Sequence, residues 1–246
     1  MATILNADTL VGGAVITGDA SGQLALQAAG VTGLTLNSSS AIGVGSSPSF
    51  GSANQVLQSN GSAAAPSWVA APSSAMTFLS VVTASNSATV DVESTFSSTY
   101  DVYELVISGV VPANDAEQFR MQMKIGGVYV STGNYQYSRT GSLATSNSYV
   151  GGADTTNGSI VLGNNVQNGA SVPINFKMRI YNPSSTALQK AVTWEGYYQD
   201  STTPAVAMSF GAASNPGTAA LTGLRFYMGG GNITSGSFRL YGISNS

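Results

Sequence analysis

Only two of the first 75 side chains, Asp8 and Asp19, carry charge, and 38 of these 75 positions are Gly, Ser or Ala. A water-exposed helix needs straight-chain residues such as Lys, Glu and Arg on its outer face, and residues 1–75 contain none of the three. Strands and turns remain. Within the segment, aliphatic residues recur at alternate positions: Leu24 and Leu26, Leu34 and Leu36, then Ile42 and Val44. Each couple places two side chains on one face of a short strand, and Gly- or Ser-rich turns follow. A solvated tether has no reason to hold aliphatic residues in that spacing or to avoid charge. Strands this short also lack the contacts to complete a sheet by themselves. The expectation is therefore that identical chains wrap together over residues 1–75, with these six side chains as contacts between them.

From Met76 onward the texture changes to longer alternating runs. "QFRMQMKI" puts Phe119, Met121, Met123 and Ile125 on one face and Arg120, Gln122 and Lys124 on the other. "VPINFKMRIY" does the same with Val172, Ile174, Phe176, Met178 and Ile180 against Lys177 and Arg179. Such runs are antiparallel strands buried on one side. Gly126-Gly127 reads as a two-residue hairpin turn. The fold class expected is all-β, with residues 76–246 forming a β-sandwich of jelly-roll type after the strand-forming segment 1–75.

Charge and composition exclude much chemistry. The chain has no cysteine and no histidine, so thiol chemistry, disulfides and the commonest general base and metal ligand are all missing. Residues 1–119 carry eight acids and no base, whereas the eight bases all follow, spread singly from Arg120 to Arg239. With no basic cluster, no nucleic-acid partner is expected. No apolar run is long enough to span a bilayer, and the start lacks a basic signal-peptide region, so neither membrane insertion nor ordinary secretion is expected. No cofactor and no metal site is expected.

Two chemistries stay open. Asp91 and Glu93 share one face of a strand and Asp115 and Glu117 repeat the spacing, as a carboxylate-based polysaccharide depolymerase would require. Solvated strand edges explain the same spacing, because nothing in the sequence supplies an apolar pocket to raise one carboxyl pKa. Tyrosines beside Asn, Ser and Thr suit sugar recognition, with rings stacking on C–H groups. Tyr135, Tyr137, Tyr149, Tyr197 and Tyr198 are the candidates, against ordinary half-buried strand tyrosines.

Three stretches carry a resemblance. "TGDASGQLALQAAGVTGLTL" (17–36), "NQVLQSNGSAAAPSWV" (54–69) and "ITSGSFRLYGI" (233–243) resemble segments of tailed-bacteriophage fibre and other virion appendage proteins, with Asn54 where that family often has Gly. The resemblance covers about 47 residues of simple composition. It implies a homotrimer in the virion, at the tail or capsid surface, assembled in the host cytoplasm. It also implies an N-terminal segment that docks on another virion protein and forms an intertwined trimeric β shaft. The C-terminal domain is then displayed toward the host, with a surface glycan as a possible partner and no catalysis. In that picture Asn60-Gly61 turns the chain and Trp68 plugs the shaft axis; packing of Trp68 under its own C-terminal domain is the alternative. A capsid decoration protein, head fibre or tail adaptor without receptor binding would share the same features.

Overall fold

The computed structural model describes residues 22–72, 75–93, 95–145, 151–155, 158–202 and 204–245. The chain divides into two compact units, Met1–Ser73 and Ser74–Ser246. Among the described residues there is no helix, and so none long and apolar enough to cross a membrane.

The N-terminal unit holds β1 (Leu24–Ala28), β2 (Val31–Leu36) and β3 (Ile42–Val44) in one antiparallel meander, and β4 (Gln55–Gln58) with β5 (Ser67–Ala70) in a hairpin. The expectation that these strands lack partners in their own chain is corrected here. Ala29 and Gly30 both take positive φ and turn β1 directly onto β2. Asn37 then accepts the N–H groups of Ser39 and Ala41, each at 2.9 Å, and folds β3 back onto β2. Local turn chemistry therefore pairs β1, β2 and β3 within one chain, with β1 and β3 as the edges of the sheet. Register decides the rest: Leu24 lies opposite Leu36 and Leu36 opposite Ile42, while Leu26 lies opposite Leu34 and Leu34 opposite Val44. All six aliphatic residues share one face.

The reverse face of this meander is covered from within the unit over β2 and β3. Thr35 is buried there, and a Cβ on Gly43 would stand 2.8 Å from the Phe50 ring and 3.0 Å from Pro48. Trp68 likewise belongs to this unit. Its indole packs on Gly51, where a Cβ would come within 2.7 Å, and its Nε1–H donates to the Ser49 carbonyl at 2.8 Å.

The C-terminal unit is one large sheet that nearly closes on itself. Its strands are β6 (Met76–Ser87), β7 (Val90–Glu93), β8 (Val102–Pro112), β9 (Glu117–Ile125), β10 (Val128–Tyr129), β11 (Gln136–Thr140), β12 (Gly152–Asp154), β13 (Ile160–Val166), β14 (Ile174–Tyr181), β15 (Lys190–Asp200), β16 (Ala205–Asn215), β17 (Leu221–Met228) and β18 (Ile233–Ile243). The main path runs β6-β18-β8-β14-β15-β13-β9-β17-β7; β16 pairs with β15, and β11 with β16. Its two end strands, β6 and β7, are consecutive in the chain. The arms are joined at Val166 opposite Asp200 and otherwise face each other across the core.

A ladder of rings fills the space between the arms: Phe119 lies 6.0 Å from Phe176 and 5.9 Å from Phe226, and Phe226 lies 5.1 Å from Phe238. Each such pair contributes about 0.5–1.5 kcal/mol beyond its buried area. The alternation of "QFRMQMKI" and "VPINFKMRIY" sets this up. Phe119, Met121, Met123, Phe176, Met178 and Ile180 are all buried, while Arg120, Lys177 and Arg179 point outward. Gly126 and Gly127 both have positive φ and form the tight turn from β9 to β10.

Candidate functional site on the outer face of the C-terminal unit

The five tyrosines separate sharply. Tyr135 is fully buried; its hydroxyl accepts from the Met123 N–H at 2.7 Å and donates to the Val130 carbonyl at 3.0 Å. Burial drives its pKa well above the ordinary value. Tyr198 is also buried, and its hydroxyl accepts from the Asn164 N–H at 3.3 Å. A surface glycan reaches neither, so the binding role expected for these two is corrected to a core role. Neighbours on a strand point to opposite faces; with Tyr198 inward, Tyr197 is outward and exposed. Tyr137 is half-buried against the core, and desolvation raises its pKa. Tyr149 lies outside the described residues.

The outer face of β14, β15, β16 and β11 carries three adjoining depressions. At one end is an open basin of about 590 Å³. Its floor is made of small residues, Ala191, Thr193, Ala212 and Ser214, with Gln136 and Tyr137 at the side. Thr193 also lines the next depression, of about 280 Å³, with Lys177, Arg179, Tyr181, Glu195 and Phe210. Glu195 and Phe210 continue into a third, of about 420 Å³, where Tyr197, Val206 and Met208 complete an almost wholly apolar wall.

Cross-strand register builds this surface. One outer row reads Val81, Arg239, Val106, Lys177, Glu195, Phe210, each residue directly opposite the next. The row beside it reads Phe78, Tyr241, Glu104, Arg179, Thr193, Ala212. Opposite charges meet within the rows, with Lys177 Nζ 2.6 Å from Glu195 and Arg179 Nε 3.3 Å from Glu104. The hydrogen bond between Lys177 and Glu195 raises the lysine pKa and lowers that of the carboxyl. The middle of the face is thus balanced in charge.

β16 reverses the usual arrangement. Its large residues Val206, Met208 and Phe210 face out, while Ala205, Ala207, Ser209 and Ala213 are buried. The cause is Trp194 on β15, directly opposite Gly211. A Cβ on Gly211 would overlap Trp194 Cζ2 and lie 2.6 Å from Cε2. The indole N–H donates to Ser209 Oγ at 3.2 Å, and that hydroxyl donates to the Leu162 carbonyl at 2.7 Å. The indole and its hydrogen-bond chain occupy the interior under β16, so only small residues fit inward. The sequence from Ala205 to Ala213 alternates, but carries no signal for which face is buried. Both sets alternate, and the deciding neighbour lies on another strand.

The acidic pairs are engaged in structural contacts. Arg225 grips Asp91 with two bonds, of 2.8 and 2.6 Å, and its guanidinium carbon stands 3.8 Å from the Tyr129 ring centroid. Glu93 accepts from the Tyr129 hydroxyl and from Lys124 at 2.9 Å; the tyrosine bond first, then the lysine, holds its pKa below the usual carboxyl value. A general acid at neutral pH needs the opposite shift. Asp115 accepts from the Asn168 N–H at 3.1 Å, and Glu117 packs under Gly229 and Gly230. Among the described residues, no three acidic side chains gather closely enough to share a metal ion.

Compared with known proteins, the chain is matched by no family model, no curated protein and no solved structure.

Proposed function

We propose that the protein is a non-enzymatic structural component of virion-appendage type. It is a fibre-like homotrimer whose N-terminal unit joins copies to one another and to another virion protein, and whose C-terminal unit, a jelly-roll-like sandwich, meets the host surface. One observation supports the assembly role above all. Leu24, Leu26, Leu34, Leu36, Ile42 and Val44 lie on one face of a sheet whose other face Phe50 and Pro48 cover at β3. Leu26 and Ile42 remain 51% and 47% exposed in the single chain. Val44 is already buried and Leu24, Leu34 and Leu36 are half-buried, so the open part of this face centres on Leu26 and Ile42. An aliphatic patch open to water is stabilised by cover, at about 25 cal/mol per Å² removed from solvent. Three copies presenting this face inward supply that cover around one axis, so what the copies share is side-chain packing; the pairing among β1, β2 and β3 is already made within each chain.

The attachment role is supported by the open basin beside Tyr137, lined at its side by the amide of Gln136 and the hydroxyl of Ser138 and on its floor by the hydroxyls of Thr193 and Ser214. Short polar groups over a small-residue floor match the hydroxyls and C–H faces of a sugar.

Light scattering on the intact chain tests the assembly. The expected mass is about three times the 24.9 kDa of one chain. Leu26→Asp combined with Leu34→Asp should reduce it to a single chain while leaving the circular dichroism of the C-terminal unit in place. A wild-type mass of one chain at micromolar concentration refutes the proposal.

A further inference from the structure

We infer that the C-terminal units of neighbouring copies also touch, head to tail, with the Phe78–Val81 stripe on β6 of one copy packed against the Tyr197–Val206–Met208 stripe of the next. The inference rests on the homo-oligomer proposed above and goes beyond it, because it places a second interface outside the N-terminal unit.

The first stripe is Phe78 and Val81, 55% and 49% exposed, with Met76 exposed beside them. The second is Tyr197 and Val206, 50% and 47% exposed, with Met208 and Phe210 also open to solvent. Both lie on the outer face of the same arm, five strand spacings apart, or about 24 Å. Two ion pairs separate them, Arg179 with the buried Glu104 and Lys177 with the exposed Glu195. They are therefore two patches rather than one. Isolated exposed apolar residues are ordinary, but a stripe of consecutive outward Val, Met and Phe over an inward row of Ala and Ser marks a contact surface.

Area identifies the occupant. Aromatic side chains bury roughly 150–250 Å² each, and Val and Met fall at or below the lower part of that range. At the exposures above, the two stripes offer together on the order of 650 Å² of apolar surface. With the usual apolar share of about 60%, that implies a contact of roughly 1,000 Å² in total, the lower bound for a specific interface. Alone it is weak. Between units already held together by their N-terminal segments, at effective concentrations of order millimolar, it suffices. A contact that joins unlike patches on identical chains is heterologous, and it closes into a ring when the rotation allows. Arg239 stands beside the first stripe, and Glu195, half exposed even in its bridge to Lys177, beside the second. Opposite charges beside the two stripes favour pairing unlike over like.

Because the chain has no cysteine, Phe78→Cys and Met208→Cys supply the only thiols. In the full-length double variant, a flexible bis-maleimide should give a covalent ladder ending in a closed oligomer. Each single variant should stay unlinked, because no residue meets its own copy. Met208→Asp should weaken the association of the full chain at least about tenfold by sedimentation, since a carboxylate would enter an apolar contact. It should leave the thermal unfolding of the C-terminal unit unchanged.

Three results overturn the inference while sparing the assembly reading: an oligomeric wild type whose double variant fails to link, single variants that link to themselves, or association indifferent to Met208→Asp. The first would leave the stripes to a different protein or to a saccharide. A wild-type mass of one chain removes both proposals.

Discussion

Gly211→Ala is a one-methyl change in a unit of over 170 residues, and the structure assigns it a definite cost. Gly211 sits opposite Trp194, and the added Cβ would overlap the six-membered ring of the indole. Relief requires the indole to rotate or β16 to move outward. Rotation breaks the 3.2 Å bond to Ser209 and disturbs that hydroxyl's 2.7 Å bond to the Leu162 carbonyl. Overpacking of this kind costs about 1–3 kcal/mol. In a unit of this size each kcal/mol lowers the melting temperature by about 2–4 °C, so the expected loss is roughly 2–12 °C. The assay is thermal and urea unfolding of the full chain followed by circular dichroism. Trp194→Phe provides the control: it loses packing and the Ser209 bond, yet makes room for the new methyl. The double variant should therefore be less destabilised than the two single changes added together, by at least about 0.5 kcal/mol. If Gly211→Ala is neutral, or if the two changes simply add, then Trp194 does not dictate the small interior of β16, and the reason given for the outward Val206, Met208 and Phe210 fails.

Two further outcomes follow from single side chains. Tyr135→Phe leaves the Met123 N–H and the Val130 carbonyl without their shared partner in a buried site and should cost about 1–3 kcal/mol in urea unfolding, whereas Tyr197→Ala should change stability by no more than about 0.5 kcal/mol. The pKa of Glu93 is lowered in the folded state from an ordinary value of 4.5. Its contribution is therefore complete above about pH 4.5 and lost as pH falls through the lower folded value. Glu93→Gln should flatten the stability profile below that pH and leave its shape near neutrality unchanged; an acid limb identical to wild type would show that the Tyr129 and Lys124 bonds do not hold the carboxylate.

Some of this was legible in the chain. β9 and β14 carry large apolar residues at every second position and charges between them, so the buried face could be read directly, and the rings that stack in the core are those the alternation points inward. In the N-terminal unit the same reasoning places six aliphatic residues on common faces, and the register puts all six on a single face. What failed there was pairing. Composition suggested strands without partners, but the positive φ at Ala29 and Gly30 and the Asn37 cap fold the meander within one chain. Among the tyrosines, residue type and polar neighbours were no guide to exposure: Tyr197 and Tyr198 have nearly the same sequence surroundings and opposite fates.

The sequence alone determined the material of the protein: a charge-poor, small-residue first third followed by antiparallel strands with one apolar side, and no histidine or cysteine for ordinary catalysis. These follow from local composition and from the period of two along a strand, which depend on nothing distant. Tertiary structure decided which side of β16 is buried, because that choice rests on the indole of Trp194 reaching across from β15. It also decided that Tyr135 and Tyr198 belong to the core, and that separate residues on β11, β14, β15 and β16 line adjoining depressions on one face. Those facts depend on cross-strand register, and register is set by how the whole sheet closes.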